Sequence, residues 1–86
     1  MRTRLIFNPL SNQGQAASFL PTVKAWVAVH PSDELTLTEY HGHAIALAKT
    51  AAQESFDRVI ALGGDGTTHE VVNGLMQFPD GQRPEL

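Results

Sequence analysis

One carboxylate stands inside a run of glycines, Gly63-Gly64-Asp65-Gly66-Thr67, and the residue types around it are those that handle phosphate. Glycine reaches positive φ and has no Cβ, so a ligand can lie against the backbone. A helix starting at such a turn adds unpaired N–H groups and a partial positive charge, a combination that attracts phosphate. Asp65 fits beside a polyphosphate only with a cation between them, or as a group that handles a proton, so it points to Mg²⁺ or to a reacting hydroxyl. Read without a ligand, the same residues are a tight turn from strand to helix, with Asp65 as the cap.

Other polar groups could share that chemistry. In Asn8-Pro9-Leu10-Ser11-Asn12, Asn8 and Ser11 offer hydrogen bonds and Pro9 stiffens the approach, although an isolated Asn-Pro is more simply an Asx-type turn closing a strand. Thr38, taken alone, is ordinary strand filler. Glu70 stands three residues after Thr67, so it either closes a capping box or orients a magnesium shell. His30 and His41 read as turn residues and His43 as a first-turn helix residue. No pair of histidines stands with carboxylates at zinc-ligand spacing. Trp26 and Tyr40 read as core and edge residues in preference to a base-stacking platform.

The elements that position these groups follow from hydrophobic period. Arg4 to Phe7 is a short strand stopped by Asn8-Pro9. Ala16, Phe19, Leu20, Val23, Trp26 and Val27 then recur at helical spacing, with Pro21 near the first turn and Ser18 as an N-cap, or with a start nearer Gly14 and a bend at Pro21. Glu34 to Tyr40 alternates as an edge strand. Ala44, Leu47, Ala48, Ala51 and Ala52 make a narrow helical face suited to close packing. Val59 to Leu62 is an uninterrupted apolar run, which predicts a strand buried on both faces. Thr67 to Glu70 opens a last helix, with Val71, Val72, Leu75 and Met76 on its apolar side, running to about Phe78. Gly74 costs that helix roughly 1 kcal/mol, so its expected purpose is close approach to another segment. The order βαβαβα predicts an α/β fold, a parallel sheet with helices on both faces in three layers. If the first and third strands are neighbours, the Asn8 and Gly63 loops flank one crevice at the carboxyl ends of the strands.

Composition narrows the classes. The chain has 86 residues, 42% of them hydrophobic, and a net charge of −3, which describes a small acidic domain and argues against nucleic acid as the main partner. A core this small leaves strand edges needing cover, which favours self-association or truncation. The absence of cysteine rules out disulfide and thiolate chemistry. No apolar run approaches a membrane span and the start does not read as a signal peptide, so the expected location is cytoplasmic.

Gly63-Gly64-Asp65-Gly66-Thr67, followed by Glu70-Val71-Val72-Asn73-Gly74-Leu75, resembles the signature of the diacylglycerol kinase catalytic domain family, which includes bacterial lipid kinases, sphingosine kinases and ceramide kinases. Ile6-Phe7-Asn8-Pro9-Leu10-Ser11 looks like the strand and loop that open these domains, although relatives usually place glycine directly after the serine and this chain has Asn12-Gln13-Gly14. Thr38 and Gly42-His43-Ala44 also match. His69 departs, since many relatives have asparagine there. The resemblance covers essentially the whole chain. It implies transfer of the ATP γ-phosphoryl group to a lipid hydroxyl, diacylglycerol-like or sphingoid, assisted by Mg²⁺. It also implies a catalytic or magnesium-organising role for Asp65, and ATP contacts at Asn8, Pro9, Leu10, Ser11, Asn12, Thr38, Gly64, Asp65, Gly66, Thr67, Thr68, His69 and Glu70. Relatives continue into a further strand, a further glycine loop and a β-rich lipid-binding domain with an essential acid. This stretch is therefore expected to be the N-terminal part of such a catalytic domain, binding nucleotide weakly and completing no turnover alone. Two other readings are a nucleotide-responsive assembly module that forms a homo-oligomer through a sheet edge, and an NAD kinase, which shares the Gly-Gly-Asp-Gly core.

Overall fold

The computed structural model describes residues 2–10 and 18–77. Strands β1 (Thr3–Phe7), β2 (Asp33–Leu37) and β3 (Arg58–Leu62) alternate with helices α1 (Leu20–Ala28), α2 (His43–Gln53) and α3 (Asp65–Leu75). The sheet is parallel in the order β2-β1-β3, so β1 is central and the first and third strands are neighbours. Phe7 pairs in register with Leu37 and Leu62, and all three strands therefore end at one level. The ladder continues one step further: the Asn8 N–H donates to the Leu62 carbonyl at 2.9 Å and the Thr38 N–H to the Phe7 carbonyl at 2.9 Å.

Strand alternation sends Ile6, Val59 and Ala61 to the face covered by α2 and α3, where they meet Ala44, Ala48, Ala51, Val71 and Leu75. Small residues on α2 let α3 approach closely. A Cβ built on Gly74 would lie 2.5 Å from the Ile45 carbonyl oxygen and 2.8 Å from the Ala48 Cβ, so the glycine inside α3 is there for contact with α2. Two backbone reversals hold α2. Gly42, at φ 88°, caps its start. Ser55, at φ 61°, ends it while the Ser55 and Phe56 N–H groups donate to the Ala52 and Ala51 carbonyls, the paired bonds of a Schellman ending with buried Phe56 beyond it.

Among the described residues, the other face is covered by α1 alone. Leu5 and Phe7 are buried there, yet α1 buries none of its own residues, and a gap of about 330 Å³ lined by Leu5, Val23, Trp26 and Ile60 lies beneath it. Several expectations change accordingly. Trp26 is no core residue: it is 54% exposed, stacks on His30 at 3.8 Å and donates its Nε1–H to Asp33. The apolar run of β3 is not buried on both faces, since only Val59 is fully covered and the strand forms an edge. Phe19, not Ser18, occupies the N-cap position of α1, with Pro21 in the first turn as expected.

Polar structure at the amino ends of the strands completes the fold. The Phe56 ring lies between the guanidinium groups of Arg2 and Arg4, at 4.2 and 4.4 Å. Arg4 is buried and ion-paired to Glu34 at 3.4 Å and Glu54 at 3.7 Å. These cations sit at the beginning of β1, away from the ends where the phosphate-type loops emerge.

Candidate functional site

Because the strands stop together, the turns after β1, β2 and β3 open on one end of the sheet. After β1, the Asn8 side chain bends back so that its Oδ1 accepts the Leu10 N–H at 3.0 Å, an Asx turn around Pro9. The Asn8 Nδ2 donates to Thr67 Oγ1 at 3.2 Å across 59 positions of sequence. That bond joins the Asn-Pro loop to the glycine turn. The Asx reading and the ligand reading of Asn8 are thus compatible, since one oxygen shapes the loop while the amide reaches the other turn.

Helix α3 begins earlier than the Thr67 to Glu70 pattern predicts. Gly64 is its N-cap residue and Asp65 its first residue, and the Thr67 and Thr68 N–H groups already donate to the Gly64 carbonyl at 3.1 and 3.2 Å. There is accordingly no capping box. Thr67 is buried in the first turn, and Glu70 reaches across to α2, its Oε2 accepting the Gly42 N–H at 3.3 Å and lying 3.6 Å from His41 Nδ1. Glu70 thereby fixes the start of α2 against α3. A Cβ at Gly64 or Gly66 would meet nothing within 4 Å among the described residues.

Between these turns lies a cavity of about 220 Å³, lined by Asn8, Leu10, Thr38, Glu39, Tyr40, His41, Thr67 and Glu70. Of the residues expected at a nucleotide, Asn8, Leu10, Thr38, Thr67 and Glu70 therefore share one wall system. Pro9, Gly64, Gly66 and His69 are not among its lining residues, and Thr68 lines a separate groove along β3. Ser11 and Asn12 lie outside the described residues, as does the side chain of Asp65. Glu39, Tyr40 and His41 were not expected. They fill the loop between Thr38 and Gly42, two positions that the sequence does single out, and that bracketing was the signal available. Here the His43 Nδ1 accepts the Glu39 N–H at 2.9 Å, and Tyr40 stacks on the His43 ring at 4.4 Å and 14°.

Comparison with known proteins decides the family. The family model described as the diacylglycerol kinase catalytic domain matches residues 2–86. The chain belongs to that family. Among relatives of this diacylglycerol kinase-family chain, a diacylglycerol kinase of Staphylococcus aureus (strain bovine RF122 / ET3-1) is 40% identical over 87 residues, covering 99% of this chain and 27% of that protein. The sphingoid long chain base kinase 5 of Saccharomyces cerevisiae is 38% identical over 78 residues, covering 88% of this chain and 11% of that protein. A crystal structure of a diacylglycerol kinase from Bacillus anthracis str. Sterne superposes with a TM-score of 0.77 at 32% identity, covering 96% of this chain and 30% of that one. The family chain thus spans about a quarter of the length of the bacterial kinases it matches. Among the described residues, no helix is long and apolar enough to cross a membrane, and no group of three His, Cys, Asp or Glu side chains could hold a metal.

Proposed function

We propose that this chain is the ATP-holding part of a lipid kinase that transfers the γ-phosphoryl group to the hydroxyl of a diacylglycerol-like or sphingoid lipid. What supports the reading most is the hydrogen bond from Asn8 to Thr67, because it ties the two motif loops together at the end of the sheet where α/β ligands sit. Helix α3 starts at the glycine turn with Gly64 as its N-cap residue, and a helix start of this kind suits a phosphate chain. Thr67, Thr68 and His69 follow in the first turns of α3, and Pro9 and Leu10 continue the loop that Asn8 ties to Thr67.

Mg²⁺ in nucleotide sites takes one or two carboxylates and completes its shell with phosphate oxygens and water, neutralising charge during transfer. Asp65, first in α3, is the residue this chain offers for that ion or for the reacting hydroxyl. The remaining residues bind and orient. Glu70, engaged with Gly42, serves as a positioning residue for the cavity wall. The chain spans about a quarter of the length of the bacterial kinases it matches, and on this reading the 86-residue stretch tested by itself binds nucleotide without completing phosphoryl transfer to lipid.

Equilibrium binding of Mg-ATP, lipid phosphorylation and sedimentation of the 86-residue chain test this together. The expected result is weak saturable ATP binding, no labelled diacylglycerol or sphingoid base, and a mass indifferent to nucleotide. Efficient lipid phosphorylation by the chain alone would overturn the fragment reading, and failure to bind ATP would overturn the whole. Growth in mass on adding ATP would favour a nucleotide-linked homo-oligomer instead, built on β2 or β3, the outer strands of the sheet among the described residues.

A further inference from the structure

The loop between β2 and α2 is held at both ends by backbone. The Thr38 N–H donates to the Phe7 carbonyl at 2.9 Å, and at the other end the Tyr40 and Gly42 carbonyls accept the His43 and Ile45 N–H groups, each at 3.1 Å. Between those anchors the loop is tied through a ring that can change charge: the Glu39 N–H donates to His43 Nδ1 at 2.9 Å. A backbone N–H can only donate, so Nδ1 must keep its lone pair, and the one proton of the neutral imidazole is on Nε2. In the charged ring both nitrogens are donors. A second proton on His43 therefore sets N–H against N–H, and turning the ring over offers only a carbon in place of the lost acceptor.

We propose that His43 is a proton-operated latch on this loop, closed on the Glu39 backbone when the ring is neutral and open when it is charged. The ring keeps its place on opening, because Tyr40 stacks on it at 4.4 Å and 14° and an aromatic face attracts a cation. What is released is the backbone at Glu39. That bond lies at the surface, where water takes it over, so opening leaves the core intact. The titratable groups around the latch, among the described residues, are Glu39, Tyr40 and His41 of the loop and Glu70 of α3. Glu70 accepts the Gly42 N–H at 3.3 Å whether His43 is charged or neutral, which holds the α2 end of the loop in both states. His41 stands fully exposed 3.6 Å from Glu70, a pair that water screens and that gains only modestly in acid. Acid thus frees one side of a loop that carries Glu39, Tyr40 and His41 to the cavity, and the cavity wall changes with it. The latch needs no ligand.

Amide-resolved NMR of the 86-residue chain from about pH 8 to about pH 5, the span in which histidine changes charge, reads the latch directly. On acidification the Glu39 amide should shift and lose its protection from solvent exchange along the same curve as the His43 ring protons, while the amides of buried Val59 and Val71 hold still. In His43→Asn an amide oxygen stands in for Nδ1 and does not titrate, so the Glu39 amide should stay protected throughout. His41→Gln should leave the response as it is in the unaltered chain. A His43 ring that titrates while the Glu39 amide stays put would overturn the latch. So would a response that survives His43→Asn, or one that disappears in His41→Gln.

Discussion

A methyl group added at Gly66 would meet no atom within 4 Å among the described residues. Gly66 is the second residue of α3, where alanine is the better helix former by up to about 1 kcal/mol. The fold alone therefore gives no reason for glycine at this position, and a ligand lying on the backbone gives one. Gly66→Ala should leave the melting temperature unchanged or slightly raised while weakening ATP binding, measured on the same sample by thermal unfolding and titration. A lower melting temperature with intact binding would assign the glycine to folding instead. Single residues were legible in sequence where their chemistry was local, as with the Asx turn of Asn8 and the close-approach role of Gly74. They were not legible where the partner was remote: Glu70 serves Gly42 and not Thr67, and no local pattern encodes a contact across 28 positions.

At the scale of elements, the packing of α2 on α3 carries the fold of the site. Glu70 and Gly42 belong to that contact, and so does Gly74, against which α2 presents Ile45 and Ala48. A Cβ at Gly74 meets backbone, which cannot rotate aside, so Gly74→Ala should destabilise the chain by about 1–3 kcal/mol despite its better helix propensity. In a domain of this size that lowers the melting temperature by roughly 5–20 °C. Unchanged stability would show that the two helices separate at little cost. All the elements were readable from period, and the alanine face of α2 was readable residue by residue. Two burial expectations failed, the β3 run because β3 lies at an edge and Trp26 because α1 is short and buries none of its residues. An apolar run or an apolar helical face states what a segment can bury, and only the arrangement of its neighbours decides what is buried.

For the whole molecule, parallel order β2-β1-β3 is what makes separate motifs into one site. It sets the Asn-Pro loop beside the glycine turn and the Thr38 loop on the other side of β1, all at the carboxyl ends, while the Arg2 and Arg4 guanidinium groups lie around Phe56 at the opposite end. The sequence analysis reached this order only as a condition, because strand neighbourhood depends on which hydrophobic faces meet. The most direct measurement is an amide-resolved NMR titration of the chain with Mg-ATP. Shift changes should concentrate at Asn8, Leu10, Thr38, Tyr40 and Gly64 to Thr67, leaving Arg2, Arg4 and Phe56 unmoved. Changes centred on the Arg2–Phe56 end, or confined to only one of the two motif loops, would contradict a shared nucleotide site.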